Sequence, residues 1–320
     1  MSETAEGRVL YLAVPCYNEE EVLPETVRIL SEKLAALERA GKIAPESRMM
    51  LINDGSKDGT WALMERAFAE NPRVTLVNLS RNRGHQNALL AGLMTAKDYA
   101  DAVISLDADL QDDVDAIDRM VDEWTAGADI VYGVRSSRAV DTAFKRGTAQ
   151  TYYKVLKGMG VETVYNHADF RLMTKRALEA LSEYKEVNLY LRGLVPMIGF
   201  RTATVEYERK ERMAGESKYP LKKMLALAWE GITSSTGKPL RWIAVIGAVT
   251  AFLAFVYLIY ALIAHFAGAT VDGWTTLAVL VCFFGGAQIL CIGIIGEYIS
   301  KIYWETKSRP RYIIQDLKLQ

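Results

Sequence analysis

The sequence has few cysteines and almost no net charge, and both features exclude whole classes of protein. Only three cysteines occur among 320 residues, and two of them, Cys282 and Cys291, lie within long apolar runs. This number and placement exclude a disulfide framework and a cysteine-based zinc site. The formal net charge is −1. No overall basic field attracts nucleic acid, so we expect no nucleic-acid partner.

Glycine-rich nucleotide signatures are also missing. The first apolar strand is not followed by Gly-x-Gly-x-x-Gly, and no Gly-x-x-x-x-Gly-Lys-Ser/Thr occurs in the chain. Dinucleotide-binding and P-loop interpretations therefore lose support. The first eight residues are polar and contain no apolar core of a signal peptide. This predicts that the first part of the chain stays in the cytosol.

The chain does contain an alternation of apolar strands and amphipathic helices. Apolar strand-like segments begin near residues 8, 49, 74 and 102, and segments with apolar residues at helical spacing separate them. This alternation predicts an α/β fold, with a mostly parallel sheet between helices on both faces. We expect residues 1–185 to form this cytosolic domain.

Polar side chains follow three of these strands. Asn18 and Glu19 come after the first, Asp54 after the second, and Asp107 and Asp109 after the fourth. The carboxyl ends of parallel strands meet at one edge of a sheet, so we expect these side chains to converge there. Two carboxylates one residue apart suit a hard divalent cation that also holds a diphosphate. Taken singly, each motif is also compatible with a turn, a helix cap or a solvated acidic loop.

Two basic segments face either an anionic ligand or solvent. Arg135 opens the first, directly after a predicted strand at 129–133. The second surrounds a glycine-bearing loop and holds Arg209, Arg212 and Lys218, a suitable clamp for phosphate. Runs of charge are commonly solvated surfaces, so the sequence leaves both alternatives open.

The last third of the chain contains two long uncharged runs, at 242–266 and 273–296. Each is long enough to cross the hydrocarbon core of a bilayer, which predicts a transmembrane hairpin within 241–302. The alternative is a buried core hairpin. The connecting loop has no Lys or Arg while both flanks are basic. This places the flanks, both termini and a basic tail at 303–320 in the cytoplasm.

The segment that precedes the hairpin, 186–240, is expected to lie at the membrane interface. Residues 187–200 are strongly apolar but too short to span a bilayer. They form either a buried helix or a helix lying in the interface. A helix from about Pro220 carries an apolar face next to the first span, so we expect it to be interfacial.

Six motifs, in order along nearly the whole chain, carry a family likeness. The chain resembles family 2 glycosyltransferases with the GT-A fold, and more closely the polyisoprenyl-phosphate glycosyltransferases. Bacterial bactoprenol glucosyltransferases are the most similar group, and dolichyl-phosphate mannose synthases are related. The matching motifs are Val14–Glu20, Asn53–Thr60, Leu106–Asp112, Asp169–Met173, Gly215–Tyr219 and Gly296–Ile299.

The resemblance implies a reaction. A homo-oligomer in the bacterial inner membrane would transfer a hexose, glucose from UDP-glucose first of all, to undecaprenyl phosphate at the cytosolic face. The transfer would depend on metal, would invert the anomeric centre and would serve modification of surface polysaccharide. The alternatives are another sugar (mannose, galactose or aminoarabinose) and a non-catalytic sugar-nucleotide-binding subunit anchored in the membrane. Lys238 replaces the Gln of the Gln-x-x-Arg-Trp motif of processive synthases, which argues against a polymerase.

The resemblance also implies roles for individual residues. Asp109 and Asp107 would hold Mg²⁺ or Mn²⁺, with Asp109 also counted as catalytic. Asp169 matches the proposed base, but it could equally orient the acceptor or pair with Arg171. An acceptor phosphate beside these carboxylates needs cations, and the candidates are Arg135, Arg209, Arg212 and Lys218. The nucleotide sugar would contact Pro15, Tyr17, Asn18, Glu19, Asp54, Asn87, Asp107, Ala108, Asp109 and Gln111.

Overall fold

The computed structural model describes most of the chain, namely residues 7–135, 167–187, 189–208, 233, 236–267 and 273–320. The predicted interfacial helix from Pro220 lies outside these residues. So do three of the candidate phosphate ligands, Arg209, Arg212 and Lys218.

Strands and helices alternate in the first part of the chain, as predicted. The elements there are β1 (Leu10–Cys16), α1 (Leu23–Arg39), β2 (Arg48–Asn53), α2 (Thr60–Glu70), β3 (Val74–Leu79), α3 (His85–Ala96), β4 (Ala102–Ser105), α4 (Ala116–Thr125) and β5 (Ile130–Arg135). The later elements are β6 (His167–Thr174), α5 (Lys175–Ser182), α6 (Leu191–Met197), β7 (Thr202–Tyr207), α7 (Lys238–Phe266), α8 (Trp274–Thr306) and β8 (Ile314–Lys318).

The eight strands form one sheet in the order β7-β5-β6-β4-β1-β2-β3-β8. The strands β4, β1, β2 and β3 pair in parallel, as do β5 and β7, whereas β6 and β8 run antiparallel to their neighbours. The predicted mostly parallel GT-A-type sheet is confirmed. The register sets the ends of three strands side by side, since Cys16 pairs with Asn53, and Asn53 pairs with Asn78.

Apolar clusters cover both faces of the sheet, so its central strands are buried throughout. Leu30 and Leu34 of α1 and Met64 of α2 lie in the cluster on one face. Leu89 of α3 and Leu178 of α5 lie in the cluster on the other. The spacing of three or four residues between apolar positions gives each helix one buried stripe, and burial of that stripe stabilises the layered fold.

Two strands of the sheet lie outside the predicted catalytic segment 1–185. β7 pairs in parallel with β5, and β8 pairs antiparallel with β3 at the opposite edge. Residues 303–320, expected as a basic tail, instead complete α8 and supply this edge strand. In β8 half-buried and exposed residues alternate over only five positions, a pattern too short and too polar to be found by hydropathy.

The apolar segment at 187–200 forms α6. Its residues Leu191, Leu194 and Val195 are buried in the core, so the buried-helix alternative is the one observed. The start of α1 decides whether Asn18 caps a helix, one of the alternatives left open by the sequence. The helix begins at Leu23 with Val22 at its N-cap, so Asn18 is not a helix cap.

The helices α7 and α8 are long and apolar. They contain candidate membrane spans at Lys238–Tyr257 and Phe283–Thr306, with mean hydropathies of 1.9 and 1.4, and neither span is buried by protein. A core hairpin would be covered by other elements, so that alternative is wrong for these spans. Exposed apolar helices of this length are suited to a hydrocarbon environment.

Candidate active site

A cavity of about 200 Å³ lies at the carboxyl ends of β1 and β2. Four residues predicted to hold the nucleotide line it together: Pro15, Tyr17, Glu19 and Asp54. The wall is completed by residues from β1, from the loop after β3 and from the first turn of α3, namely Cys16, Asn82, Gly84, His85 and Ala88. The convergence of strand ends expected from the sequence therefore produces a concave site.

Asp54 fixes the wall of this cavity. Its buried carboxylate accepts hydrogen bonds from the backbone N–H groups of Arg83 (2.7 Å) and Gly84 (2.9 Å). Burial raises the pKa of Asp54, and these two hydrogen bonds oppose the rise. The side chain thus ties the loop after β3 to the end of β2 and shapes the cavity from within.

Asn18 and Asn87 have structural partners. Asn18 adopts the left-handed conformation (φ 56°), and its Oδ1 accepts the backbone N–H of Lys57 at 2.8 Å. This contact joins the loops after β1 and β2, and Asn18 does not line the cavity.

Asn87 donates through Nδ2 to the carbonyl of Arg83 at 2.9 Å. Its Oδ1 is buried and accepts no hydrogen bond from the described residues.

Gly55 lies at the closest approach of two loops. It has φ +66°, and an added Cβ would lie 2.5 Å from the backbone nitrogen of Asn82. Gly55→Ala is expected to destabilise the fold by about 1–3 kcal/mol more than Gly199→Ala, because both glycines need positive φ but only Gly55 meets backbone atoms. Gly199 (φ +73°) has only one atom, a carbonyl oxygen 4.0 Å away, near its added Cβ. Denaturant unfolding of the two variants measures the difference, and equal stability would contradict this steric reading.

Asp107 and Asp109 follow the end of β4, and Asp107 lies 3.6 Å from His85 of the cavity wall. Leu110, which follows them, has φ +51°, a strained conformation for a non-glycine residue. Asp109 Oδ1 accepts the backbone N–H of Gln111 at 3.2 Å. The predicted contacts Ala108 and Gln111 are both buried, and the carbonyl of Ala108 accepts a 2.7 Å hydrogen bond from Thr26 of α1. This turn is thereby held against the core while its two carboxylates stay partly exposed.

Crowding of carboxylates perturbs Asp107. Burial raises the pKa of Asp107 to about 6, and the carboxylates of Asp112, Asp169 and Asp109 add to the rise. His85 opposes it, with Nε2 at 3.6 Å from Asp107 Oδ1. A cation placed here would relieve the repulsion among the carboxylates.

The donor set fits a cation that is shared with a diphosphate. Within the described residues, no group of three or more His, Cys, Asp and Glu side chains is arranged to hold a metal by itself. Among the described residues, Asp107 and Asp109 are therefore the two carboxylates that we assign to such a cation. Mg²⁺ is commonly bound in this way, through one or two carboxylates, phosphate oxygens and water.

Asp169 lies on β6 between two arginines. Its Oδ1 accepts a 2.6 Å hydrogen bond from Arg171, and its Oδ2 accepts one of 3.0 Å from Arg192. His85 Nε2 is 3.9 Å from the same carboxylate. Burial alone would raise the pKa of Asp169, but the guanidinium groups of Arg192 and Arg171 hold it well below its usual range. A carboxylate with so low a pKa is a weak proton acceptor, so this geometry favours the pairing with Arg171 over the general-base role.

Arg135 is the one candidate phosphate ligand within the described residues. It lies at the end of β5, where its Nε is 3.3 Å from the hydroxyl of Tyr207 and its Nη2 is 3.5 Å from Asp112 Oδ1. The Tyr207 hydroxyl also donates to Asp112, which is buried. Arg135 is thus anchored at the cleft by groups from β7 and from the loop after β4.

The residues of this site that were not predicted include three with polar side chains at the carboxylates: His85, Arg192 and Tyr207. His85 opens α3 after the third strand, so the rule that polar groups at strand ends converge would have found it. Arg192 and Tyr207 reach the cleft from α6 and β7, far along the chain from the acidic motifs. No local pattern marks them, and only the tertiary fold brings them to Asp169 and Asp112.

Comparison with known proteins identifies the family. The glycosyl transferase family 2 model matches residues 11–182, and the GtrB C-terminal hairpin model matches residues 238–302. The uncharacterized glycosyltransferase YkoT of Bacillus subtilis (strain 168) is 51% identical over 306 residues, 96% of this chain and 91% of that protein. The bactoprenol glucosyl transferase of Shigella phage SfX is 40% identical over 313 residues, 96% of this chain and 99% of that protein.

A solved structure, the mannosyl-3-phosphoglycerate synthase of Rubrobacter xylanophilus, is 16% identical, with a TM-score of 0.46 over 73% of this chain and 75% of its own. The family matches, by contrast, extend over both the sheet and the two apolar helices. They agree with the cavity and carboxylates at the sheet edge and confirm the family expected from the sequence motifs. The chain therefore belongs to glycosyl transferase family 2 and is a glycosyltransferase whose two C-terminal helices form a GtrB-type hairpin.

Proposed function

We propose that this glycosyltransferase moves a hexose, glucose from UDP-glucose, onto a polyprenyl phosphate with the help of a divalent cation. The observation that carries the proposal is the acidic turn after β4, where Asp107 lies 3.6 Å from His85 of the cavity wall and Asp109 follows two residues later, in a chain that also has two exposed apolar helices. Relatives named bactoprenol glucosyl transferase support the acceptor class, since they match 95–96% of this chain at about 40% identity.

The donor nucleotide would occupy the cavity lined by Pro15, Tyr17, Glu19 and Asp54. Tyr17 is exposed and offers a ring face to a base. Asn87 contributes a buried Oδ1 that accepts no hydrogen bond within the described part of the chain. Asp107 and Asp109 would hold Mg²⁺ or Mn²⁺, which neutralises charge that develops on the diphosphate as the glycosidic bond breaks.

The acceptor needs cations more than it needs a base. A phosphate monoester is largely ionised near neutral pH, since its second pKa is about 6. Its oxygen attacks the anomeric carbon, the bond to the diphosphate breaks, and the nucleoside diphosphate leaves. One displacement inverts the centre, so an α-linked donor gives a β-linked product. Asp169 would orient its arginine partners toward the acceptor phosphate. The ionised phosphate has no proton that a base must remove.

Arg192 is our candidate for contact with the acceptor phosphate. Its side chain is 37% exposed, and its guanidinium donates a 3.0 Å hydrogen bond to Asp169. Arg135 would assist it, together with the previously named Arg209, Arg212 and Lys218.

We expect Arg192→Gln to raise the KM for lipid phosphate about 10–100-fold, because a charged hydrogen bond contributes about 1.5–3 kcal/mol. The affinity for UDP with Mn²⁺ should change less than threefold. Steady-state kinetics with varied lipid phosphate measures the effect, and Arg201→Gln, at an exposed arginine before β7, is the matched control. An unchanged KM for lipid phosphate would remove Arg192 from the acceptor site.

The membrane arrangement follows from charge. Both flanks of the hairpin are basic and the predicted connecting loop carries no Lys or Arg, so the catalytic sheet and both termini would lie in the cytoplasm. The acceptor tail would stay in the bilayer beside α7 and α8, with its phosphate at the cytosolic surface. A homo-oligomer remains part of this proposal.

A donor panel tests the proposal. The full-length protein in detergent receives undecaprenyl phosphate, Mn²⁺ or Mg²⁺, and one nucleotide sugar at a time, and release of nucleotide is followed. We expect the fastest release with UDP-glucose. Release only with a mannose, galactose or aminoarabinose donor would keep the reaction class and overturn the sugar, and no release with any donor would contradict catalysis on this acceptor.

A further inference from the structure

A second cavity, of about 450 Å³, lies away from the carboxylate cleft. One wall is the chain segment 308–312, which follows the membrane helix α8, and the other comes from α3 and from the end of α5 and the residues after it. Leu90, Met94 and Leu181 give this cavity an apolar side. It shares no lining residue with the cavity at the strand ends. Leu90 and Met94 lie five and nine residues after His85, about 7–14 Å further along α3.

Three cationic side chains lie among the other lining residues of this cavity. Lys185, Arg309 and Arg311 contribute three positive charges, and none of the described residues that line it is acidic. Arg311 is held in place, since its Nη2 donates a 2.6 Å hydrogen bond to the carbonyl of Tyr184. Lys185 and Arg309 are exposed, so their charges are available to a ligand. An anionic group beside an apolar side is the complement of this lining.

The cavity adjoins the end of a membrane helix. Tyr303 and Trp304, in the last turn of α8, are 52% and 46% exposed, and aromatic side chains of this kind mark the headgroup level of a bilayer. The guanidinium of Arg309 lies 5.5 Å from the Trp304 ring. The cavity wall begins at Ser308, two residues after α8 ends at Thr306. Two residues of extended chain span at most about 7 Å. The headgroup layer is itself about 5–7 Å deep on each side.

We propose that this cavity binds the anionic headgroup of a membrane phospholipid, with its phosphate between Lys185 and Arg309. The inference rests on the proposed placement of α8 in the membrane. Basic pockets at the cytoplasmic end of membrane helices are suited to such headgroups, since each Lys or Arg near an anionic surface contributes about 1 kcal/mol. A bound lipid would fasten segment 308–312, and with it the edge strand β8, to α3.

Binding of dioctanoyl phosphatidylglycerol to the full-length protein in neutral detergent tests this site. We expect it to bind at least tenfold more tightly than dioctanoyl phosphatidylcholine. The double variant Lys185→Gln, Arg309→Gln should lose this preference. The control is Arg39→Gln, Arg66→Gln, which removes the same charge from exposed positions on α1 and α2 and should keep it. UDP binding with Mn²⁺ is measured on all samples to verify folding.

Three outcomes would overturn the proposal: equal affinity for the two lipids, an unchanged preference in the Lys185 and Arg309 variant, and an equal loss in the control. Complete displacement of phosphatidylglycerol by millimolar inorganic phosphate would also overturn it, because the site would then recognise free phosphate. Glycolipid synthesis on the same samples separates the two claims. Sugar transfer without lipid preference contradicts only this site, and lipid preference without transfer contradicts only the proposed function.

Discussion

Asp109→Asn should lower kcat for glycolipid synthesis at least ~10³-fold, a loss of about 4 kcal/mol of transition-state stabilisation. Asp109 is one of only two carboxylates that we assign to the cation. In the variant a neutral amide takes the place of this carboxylate, so the cation loses a full negative charge. A bound metal contributes several kcal/mol to stabilisation of charge in such a step. Initial rates at saturating donor and several Mn²⁺ concentrations measure the loss.

Asp113→Asn is the matched control. Asp113 belongs to the same acidic loop, and its Oδ1 accepts a 3.4 Å hydrogen bond from the backbone N–H of Asp115 before α4. This variant should keep activity within about threefold of the natural sequence, because it leaves both carboxylates that we assign to the cation in place. If Asp109→Asn retained more than a tenth of the activity, or if both variants lost activity equally, Asp109 would not be a metal ligand.

Asp169→Asn should destabilise the protein by about 3–5 kcal/mol. Arg171 is 1% exposed and its Nη2 is 2.6 Å from Asp169 Oδ1, so the substitution leaves a buried guanidinium without its counter-charge. Replacing both members of a buried ion pair changes the stability far less than removing one member. Asp169→Asn combined with Arg171→Met should therefore recover much of the lost stability. Denaturant unfolding of the two variants and of the natural sequence measures the loss and the recovery.

Asp129→Asn is a suitable control for this stability effect. Asp129 is 3.7 Å from Arg176, whose side chain is 68% exposed, and it accepts a 3.2 Å hydrogen bond from the Thr174 hydroxyl. Asp129→Asn keeps the acceptor oxygen and leaves no buried guanidinium, so we expect a loss of about 0–1 kcal/mol. A loss of under 1 kcal/mol in Asp169→Asn would contradict the buried ion pair.

The pH dependence of stability gives an independent test of the ion pair of Asp169. Because its pKa is held below the ordinary value of about 3.9, its contribution to stability is complete above that value and disappears as the pH falls through the lowered pKa. The stability of Asp169→Asn should therefore vary less with pH below about 4 than that of the natural sequence. A general base at Asp169 predicts instead that the acid limb of the kcat/KM profile disappears in the variant.

The site could be located from the sequence because it is built at strand ends. Pro15 lies near the end of β1, and Glu19 and Asp54 follow β1 and β2. Parallel pairing with aligned register brings the ends of these strands to one edge of the sheet. The same reasoning reached Asp107 and Asp109. The same rule would have found His85. It does so only if the residue that follows Gly84, in the loop after β3, is treated as part of the strand end.

Other parts of the site could not be predicted because they depend on tertiary packing. Arg192 reaches Asp169, and Tyr207 reaches Asp112, from positions whose local sequence is that of an ordinary helix and strand. The closing edge strand β8 lies 235 or more residues after its partner β3 in the chain, and no local periodicity announces such a pairing. The buried position of α6 is likewise decided by the core that it meets, since its apolar content fits an interfacial helix equally well.

The central claim is transfer of one hexose from a nucleoside diphosphate to a polyprenyl phosphate in a reaction that needs a divalent cation. Mass spectrometry of undecaprenyl phosphate after incubation with the full-length protein, UDP-glucose and Mn²⁺ tests it most directly. We predict a lipid heavier by one hexose, formed in equal amount with UDP and abolished by chelation of the metal. Formation of UDP with no glycosylated lipid, or full synthesis under chelation, would contradict the account.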